Sequence, residues 1–189
     1  HYAHLLMAES CREGCHLDEV WFLPAAVAPH KQDRVVSDAQ HRVEMLKLAI
    51  GGHPAFRVSE LELQRGGVSY TVETLRQIHQ QQPAVDLFFI LGADSLRDLP
   101  TWRQPAEICE MATPLIVARP DWPTPDYLPL IKLVGEQRTE QIRQHQVEMP
   151  LMQLSSSNIR HRVADQRSIR FRLPRAVEKY IESHRLYRG

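Results

Sequence analysis

The chain has 189 residues, 43% of them hydrophobic and 24% charged, and its 23 Lys plus Arg balance 23 Asp plus Glu. That suits one globular domain with a sizeable core, and the zero formal charge excludes bulk attraction to nucleic acid or an anionic membrane, so any anion site must be local. Apolar runs such as Val20–Leu23 and Leu87–Leu91 are too short to span a bilayer, no signal-peptide pattern is visible, and three cysteines cannot form a disulfide framework, so a reducing, cytoplasmic setting is expected.

In chain order, His1-Tyr2-Ala3-His4 stands where a helical pattern begins, since Leu5, Leu6, Ala8 and Cys11 recur on one face and Gly14 can end the helix. Cys11, Cys15 and His16 lack a second Cys/His pair at zinc-finger spacing and read as ordinary thiols beside a histidine. Glu19–Leu23 predicts a short buried strand stopped by Pro24, followed by a loop over 25–36. Ser37 or Asp38 caps the next helix, which Gly51-Gly52 closes.

Phe56–Leu63 alternates imperfectly and predicts a strand. Gly66-Gly67 breaks the chain ahead of a helix running through Val72, Leu75 and Ile78. Val85–Leu91, apolar apart from Asp86, predicts a central parallel strand with both faces covered. Gly92–Ser95 turns into a short helix, and a helix over Trp102–Met111 and a strand over Pro114–Ala118 follow. Arg119–Pro129 reads as a surface linker, Leu130–Gln146 as a helix, and Pro150–Leu154 as a short last strand. Helices are expected over Ser155–Val163 and Pro174–Ser183. Alternating strands and helices imply an α/β domain with a parallel sheet, whose ligands sit at the carboxyl ends of the strands.

The strongest chemical signal is Leu154-Ser155-Ser156-Ser157-Asn158-Ile159-Arg160. Three hydroxyls stand beside the unpaired amides of a helix start, and Arg160 can fork hydrogen bonds to phosphate oxygens. Charge-assisted hydrogen bonds contribute about 1.5–3 kcal/mol each, so a few would hold a polyphosphate. By itself this stretch is also an ordinary serine cap. His1 and His4, three positions apart, would share a helix face and form the second half of a phosphate clamp. No Ser-His-Asp set or carboxylate pair suggests another chemistry.

Those two stretches resemble the His-x-Gly-His and Ile-Ser-Ser-Thr-x-Ile-Arg motifs of the nucleotidyltransferase superfamily. Pro29-His30-Lys31, Ser69–Leu75, Gly92–Leu96 with Trp102, and Val117-Ala118-Arg119-Pro120 resemble, in the same order, segments of the bacterial nicotinate-nucleotide adenylyltransferase family. The resemblance covers nearly the whole chain and implies a Rossmann-like parallel sheet with helices on both faces. It implies adenylyl transfer from ATP to nicotinate mononucleotide, giving deamido-NAD and pyrophosphate, with residues 1–189 forming a single domain.

It further implies a set of site residues. His1, His4 and Arg160 would act on the reacting phosphates, with Ser155, Ser156 and Ser157 holding the β- and γ-phosphates. Gly92, Asp94 and Arg119 would bind the adenosine side. Lys31 would reach phosphate from its loop, and Tyr70, Thr71 and Trp102 would bind the mononucleotide, Trp102 by its flat face and Thr71 by opening a helix towards a carboxylate. Mg²⁺ would be held mainly by ATP phosphates, with no metal-binding protein residue named. The expected partners are the two substrates, without nucleic acid or membrane, and a homo-oligomer is left open.

Four departures from the family pattern stand out. The Gly-Gly-Thr-Phe-Asp-Pro stretch that supplies the family's first strand is absent, so an N-terminally incomplete domain is expected. Ala3 replaces a glycine, Ala25 and Ala26 stand where some members carry asparagine, and Ser157 replaces threonine while keeping the hydroxyl. The alternatives are a nucleotidyltransferase acting on a phosphopantetheine or cytidylyl substrate, or a non-catalytic nucleotide-binding module.

Overall fold

In the computed structural model, residues 1–29, 38–118, 125–150 and 152–188 are described, apart from the side chains of Ala93, Asp94 and Ala118. Helix α1 spans Tyr2–Gly14 and turns its Ala8 and Cys11 inward. Strand β1 (Val20–Phe22) leads through the loop after Pro24 to α2 (Ala39–Ile50), where the Asp38 side chain accepts from the Gln40 amide as the helix cap. Strand β2 (Phe56–Val58) runs parallel to β1, pairing Val20 with Phe56 and Phe22 with Val58.

The expected strand over Phe56–Leu63 is therefore cut short. From Leu61 to Arg65 the chain forms helix α3, because Leu-Glu-Leu-Gln-Arg consists of strong helix formers and the Ser59-Glu60 step breaks the period-2 alternation. Glu62 of α3 is buried and accepts from the Thr74 hydroxyl at 2.7 Å, while Arg65 donates to the same hydroxyl at 2.9 Å. This network ties α3 to α4 (Thr71–Gln81). Between them Gly66 and Gly67 both take positive φ, 70° and 68°, conformations that side chains disfavour.

A second parallel sheet has the order β3-β4-β5, with β3 at Phe88–Gly92, β4 at Thr113–Ala118 and β5 at Val147–Glu148. Two expectations are corrected here. The last strand lies ahead of Pro150 rather than over Pro150–Leu154, where a proline lacks the N–H a ladder needs. Among the described residues, β3 lies at one side of its three-stranded sheet and β4 at the centre: Leu115 and Ile116 of β4 are fully buried, whereas Phe88, Phe89 and Ile90 are only partly so. The apolar run of β3 reflects helices packed on its two faces, which sequence periodicity cannot distinguish from pairing on both edges. The β1-β2 pair and this sheet are not hydrogen-bonded to one another among the described residues.

Helices cover both faces. On one side α1 contacts β4 and β5 through Cys11, which packs with Leu115, Val117, Val147 and Met149. On the other side lie α4, α6 (Pro105–Met111, shorter than the expected Trp102–Met111) and α7 (Leu128–Arg143, kinked at Gly135). Between β3 and α6 run α5 (Ala93–Asp98) and a 3₁₀ turn, Leu99–Thr101. Helices α8 (Ser156–Ala164) and α9 (Arg175–Ser183) close the chain, and Ile159, Ile169, Leu173, Val177 and Ile181 join them in one buried cluster beside Met45 and Ala49 of α2.

Candidate active site

The imidazoles of His1 and His4 stack with ring centres 3.8 Å apart and planes 25° from parallel, as the shared helix face of i and i+3 requires. The His1 carbonyl accepts from the amides of His4 and Leu5, which starts α1. Among the described residues, His1 Nδ1 is buried without a hydrogen-bond partner. An unmatched buried nitrogen costs about 1–3 kcal/mol, so a ligand oxygen reaching it would satisfy a standing deficit. Although His4 is exposed as a residue, desolvation of its ring by the surrounding atoms pushes it down to about 4. At neutral pH its ring is uncharged and offers one N–H donor rather than a full positive charge.

At the other half of the expected clamp, Ser155 caps α8, its hydroxyl accepting from the Asn158 amide at 3.1 Å. The Ser157 hydroxyl accepts from the Arg160 guanidinium at 3.1 Å. Ser155, Ser156, Ser157 and Arg160 are all exposed, whereas Ile159 is anchored in the core. The buried isoleucine thus fixes the helix while its first turn and its arginine face outward with donors available. Ser155 reaches a ligand at the cost of its capping bond; Ser156 makes no such bond.

Two connections bring these halves together. The Tyr2 amide donates to the Arg172 carbonyl at 3.2 Å, and Arg172 lies between Ile169 and Leu173, which pack with Ile159 of α8. Met152, just ahead of Ser155, packs with Leu6 and Met7 of α1 around Cys11 and Met149. An apolar groove of about 610 Å³ runs along the Tyr2, Leu5 and Leu6 face of α1, beside the histidine face. Its polar groups Glu9 and His53 pair with each other at 3.1 Å, so it offers little to a phosphate.

The pyridine-side residues gather at the start of α4. Tyr70 precedes the helix in extended conformation, and Thr71 is its first residue. The amides of Thr71 and Val72 have no acceptor within the helix; Val72 is fully buried, so it is the Thr71 amide, on a partly exposed residue, that can take a carboxylate. Trp102 is half-buried, meets Phe89 edge-on at 5.5 Å, and packs with Tyr70 around Val72, Leu75 and Ile108. It therefore helps build the core and keeps part of its surface outside it. Arg103 is a residue the motifs did not single out: its guanidinium lies 4.6 Å from the Tyr70 ring centre and 3.0 Å from the Glu73 carboxylate. It fixes the tyrosine from one face, a contact between segments distant in sequence that no local pattern announces.

On the adenosine side, Gly92 ends β3 and precedes α5, at the carboxyl edge of the sheet. Asp94 lies in the first turn of α5, with its side chain outside the described set. Lys31 and Arg119 lie outside the described residues. Among the described residues, no group of three or more His, Cys, Asp or Glu side chains could hold a metal ion. The phosphate-side donors are imidazoles, hydroxyls and a guanidinium, a set that fits a Mg²⁺ carried in on nucleotide oxygens rather than a protein cage.

A family model described as cytidylyltransferase-like matches residues 1–162. Over its full length the chain is 43% identical to a "probable nicotinate-nucleotide adenylyltransferase" of Thermus thermophilus, covering 93% of it. It is 41% identical to a protein of the same description from Salinibacter ruber, covering 92%. Its fold is similar to that of the Plasmodium falciparum nicotinic acid mononucleotide adenylyltransferase complexed with NaAD, with a TM-score of 0.75 over 98% of this chain and 90% of that one, at 18% identity.

Proposed function

The chain belongs to the cytidylyltransferase-like family and, within it, to the nicotinate-nucleotide adenylyltransferases, and from that premise we propose that it joins ATP and nicotinate mononucleotide into deamido-NAD for NAD biosynthesis. A phosphate oxygen of the mononucleotide attacks the α-phosphorus of ATP. The bond from that phosphorus to the β-bridging oxygen breaks, and its electron pair leaves with pyrophosphate. The attacking phosphate has its second pKa near 6 and is already largely ionised at neutral pH, so the step needs no general base. It needs alignment and stabilisation of charge on the transferring and departing phosphates.

The stacked His1–His4 pair, with its unpartnered buried nitrogen, carries this reading. His4 is assigned to the α-phosphate, where an uncharged N–H donor can strengthen its hydrogen bond as negative charge builds. Arg160 and the first turn of α8 are assigned to the β- and γ-phosphates, with Lys31 reaching phosphate from its loop. Gly92, Asp94 and Arg119 are assigned to the adenosine. Mg²⁺ bound to the nucleotide supplies further charge neutralisation on the phosphates. Tyr70, Thr71 and Trp102 are assigned to the mononucleotide, where the Thr71 amide favours a carboxylate over a neutral carboxamide.

The reading treats residues 1–189 as one domain working in the cytoplasm; no described helix is long and apolar enough to cross a membrane. Pyrophosphate release measures the proposal. With ATP and Mg²⁺ it should be fast for nicotinate mononucleotide, much slower for the nicotinamide form and absent for phosphopantetheine. Equal rates for the two mononucleotides would remove the carboxylate argument, and activity only with phosphopantetheine would overturn the assignment.

A further inference from the structure

The loop that leaves the carboxyl end of β1 is held in place by three backbone groups in succession. The Ala25 carbonyl accepts from Arg42 of α2 at 2.6 Å. The Ala26 amide donates to the Ser69 hydroxyl at 2.9 Å. The Val27 carbonyl accepts from the Ser69 amide, also at 2.9 Å, and Val27 forms a parallel bridge with Val68. Ser69 thus grips the loop twice, once with its side chain and once with its backbone. It is only 7% exposed, so water competes poorly for either bond.

The position of this clip gives it a consequence for chemistry. Ser69 directly precedes Tyr70 and Thr71, and the Gly66-Gly67 turn behind it is anchored through the Glu62–Thr74–Arg65 network. Ala25 and Ala26 carry only methyl groups, so these two positions can meet a ligand only through backbone and methyl surface. Where that surface stands relative to the first turn of α4 is set by the clip. We infer that Ser69 is a positioning residue for the mononucleotide end of the proposed reaction, acting through the Ala25–Val27 loop, with Arg42 holding the same loop from α2. This inference rests on the adenylyl-transfer reading. Misplacing a binding surface by about 1 Å can cost on the order of a hundredfold in rate, so a single buried hydroxyl can matter without touching substrate.

The test uses Ser69→Ala together with the pair Ser69→Thr and Ser69→Val, which add the same bulk and differ in the hydroxyl. Ser69→Ala and Ser69→Val should raise KM for nicotinate mononucleotide about tenfold while KM for ATP stays within about twofold, and Ser69→Thr should restore the wild-type value. Hydrogen exchange at the Ala26 amide, measured without substrate, should be slow in the wild type and at least about tenfold faster in the Ala and Val variants. Equal rises in both KM values, a threonine variant as impaired as the valine one, or an Ala26 amide whose exchange ignores the hydroxyl would each overturn the inference. Wild-type protein that releases no pyrophosphate from ATP and nicotinate mononucleotide would sink the adenylyl-transfer reading itself, a failure separate from that of the clip.

Discussion

The two ends of the candidate site are built in opposite ways. At the phosphate end, His1 with His4 and Ser157 with Arg160 are each neighbours on a single helix, and each pair meets through a local spacing. At the pyridine end, Tyr70 is steadied by Arg103, Trp102 leans on Phe89, and Ser69 clips Ala26 across 43 positions of sequence. The first arrangement needs only a helix to exist. The second needs several elements to dock, so it shares its residues with the core and should be the more sensitive to stability. A substitution at the phosphate end should therefore change rate with the fold intact, whereas one at the pyridine end should change both.

The largest expected effect is His4→Ala. Removing a donor to developing charge should lower kcat by about 10²–10³ while KM for ATP moves only a few-fold. Steady-state kinetics that showed weaker ATP binding at unchanged kcat would take the imidazole out of the transition state. Next comes Arg160→Ala, which should raise KM for ATP on the order of tenfold or more with little change in thermal midpoint, since the side chain is exposed and, among the described residues, bonded only to Ser157. A loss of stability comparable to the kinetic loss would erase the contrast between the two ends.

Acid should also read the phosphate end. His4 titrates at about 4 in the folded chain against 6.5 ordinarily, so between those values the unfolded state takes up a proton that the folded state refuses. Stability therefore falls as pH drops from about 6.5 to about 4, by an amount that solvent around the exposed His4 keeps small, and His4 adds no pH dependence above that window. Urea titrations of wild type and His4→Asn across pH 4–7 check this; parallel profiles would mean that the His4 ring is not desolvated in the folded chain. The smallest and most mixed effect belongs to Trp102. Replacement by alanine should cost about 2 kcal/mol of stability as well as mononucleotide affinity, whereas Trp102→Phe should keep the fold and raise KM for the mononucleotide only a few-fold. A phenylalanine variant with unaltered KM would make Trp102 a core residue alone.

The same contrast explains what could be read without coordinates. Sequence alone determined the α/β class, a helix start at Ser37 or Asp38 and another at Ser155, the breaks at Gly51-Gly52 and Gly66-Gly67, and the helical spacing that stacks His1 on His4. These rest on caps, turn residues and the helical repeat, all of which act within a few positions. It misjudged Leu61–Arg65, where strong helix formers prevailed over an imperfect alternation, and it took Val85–Leu91 for a central strand because an apolar run records covered faces but says nothing of edges. Only the tertiary structure decided that Arg103 covers Tyr70, that Met152 and Arg172 bring α8 up to the start of α1, and that Ser69 holds a loop made of alanines. Those contacts depend on how separate elements dock, and their energies come from shape and partner geometry that no single stretch of chain encodes.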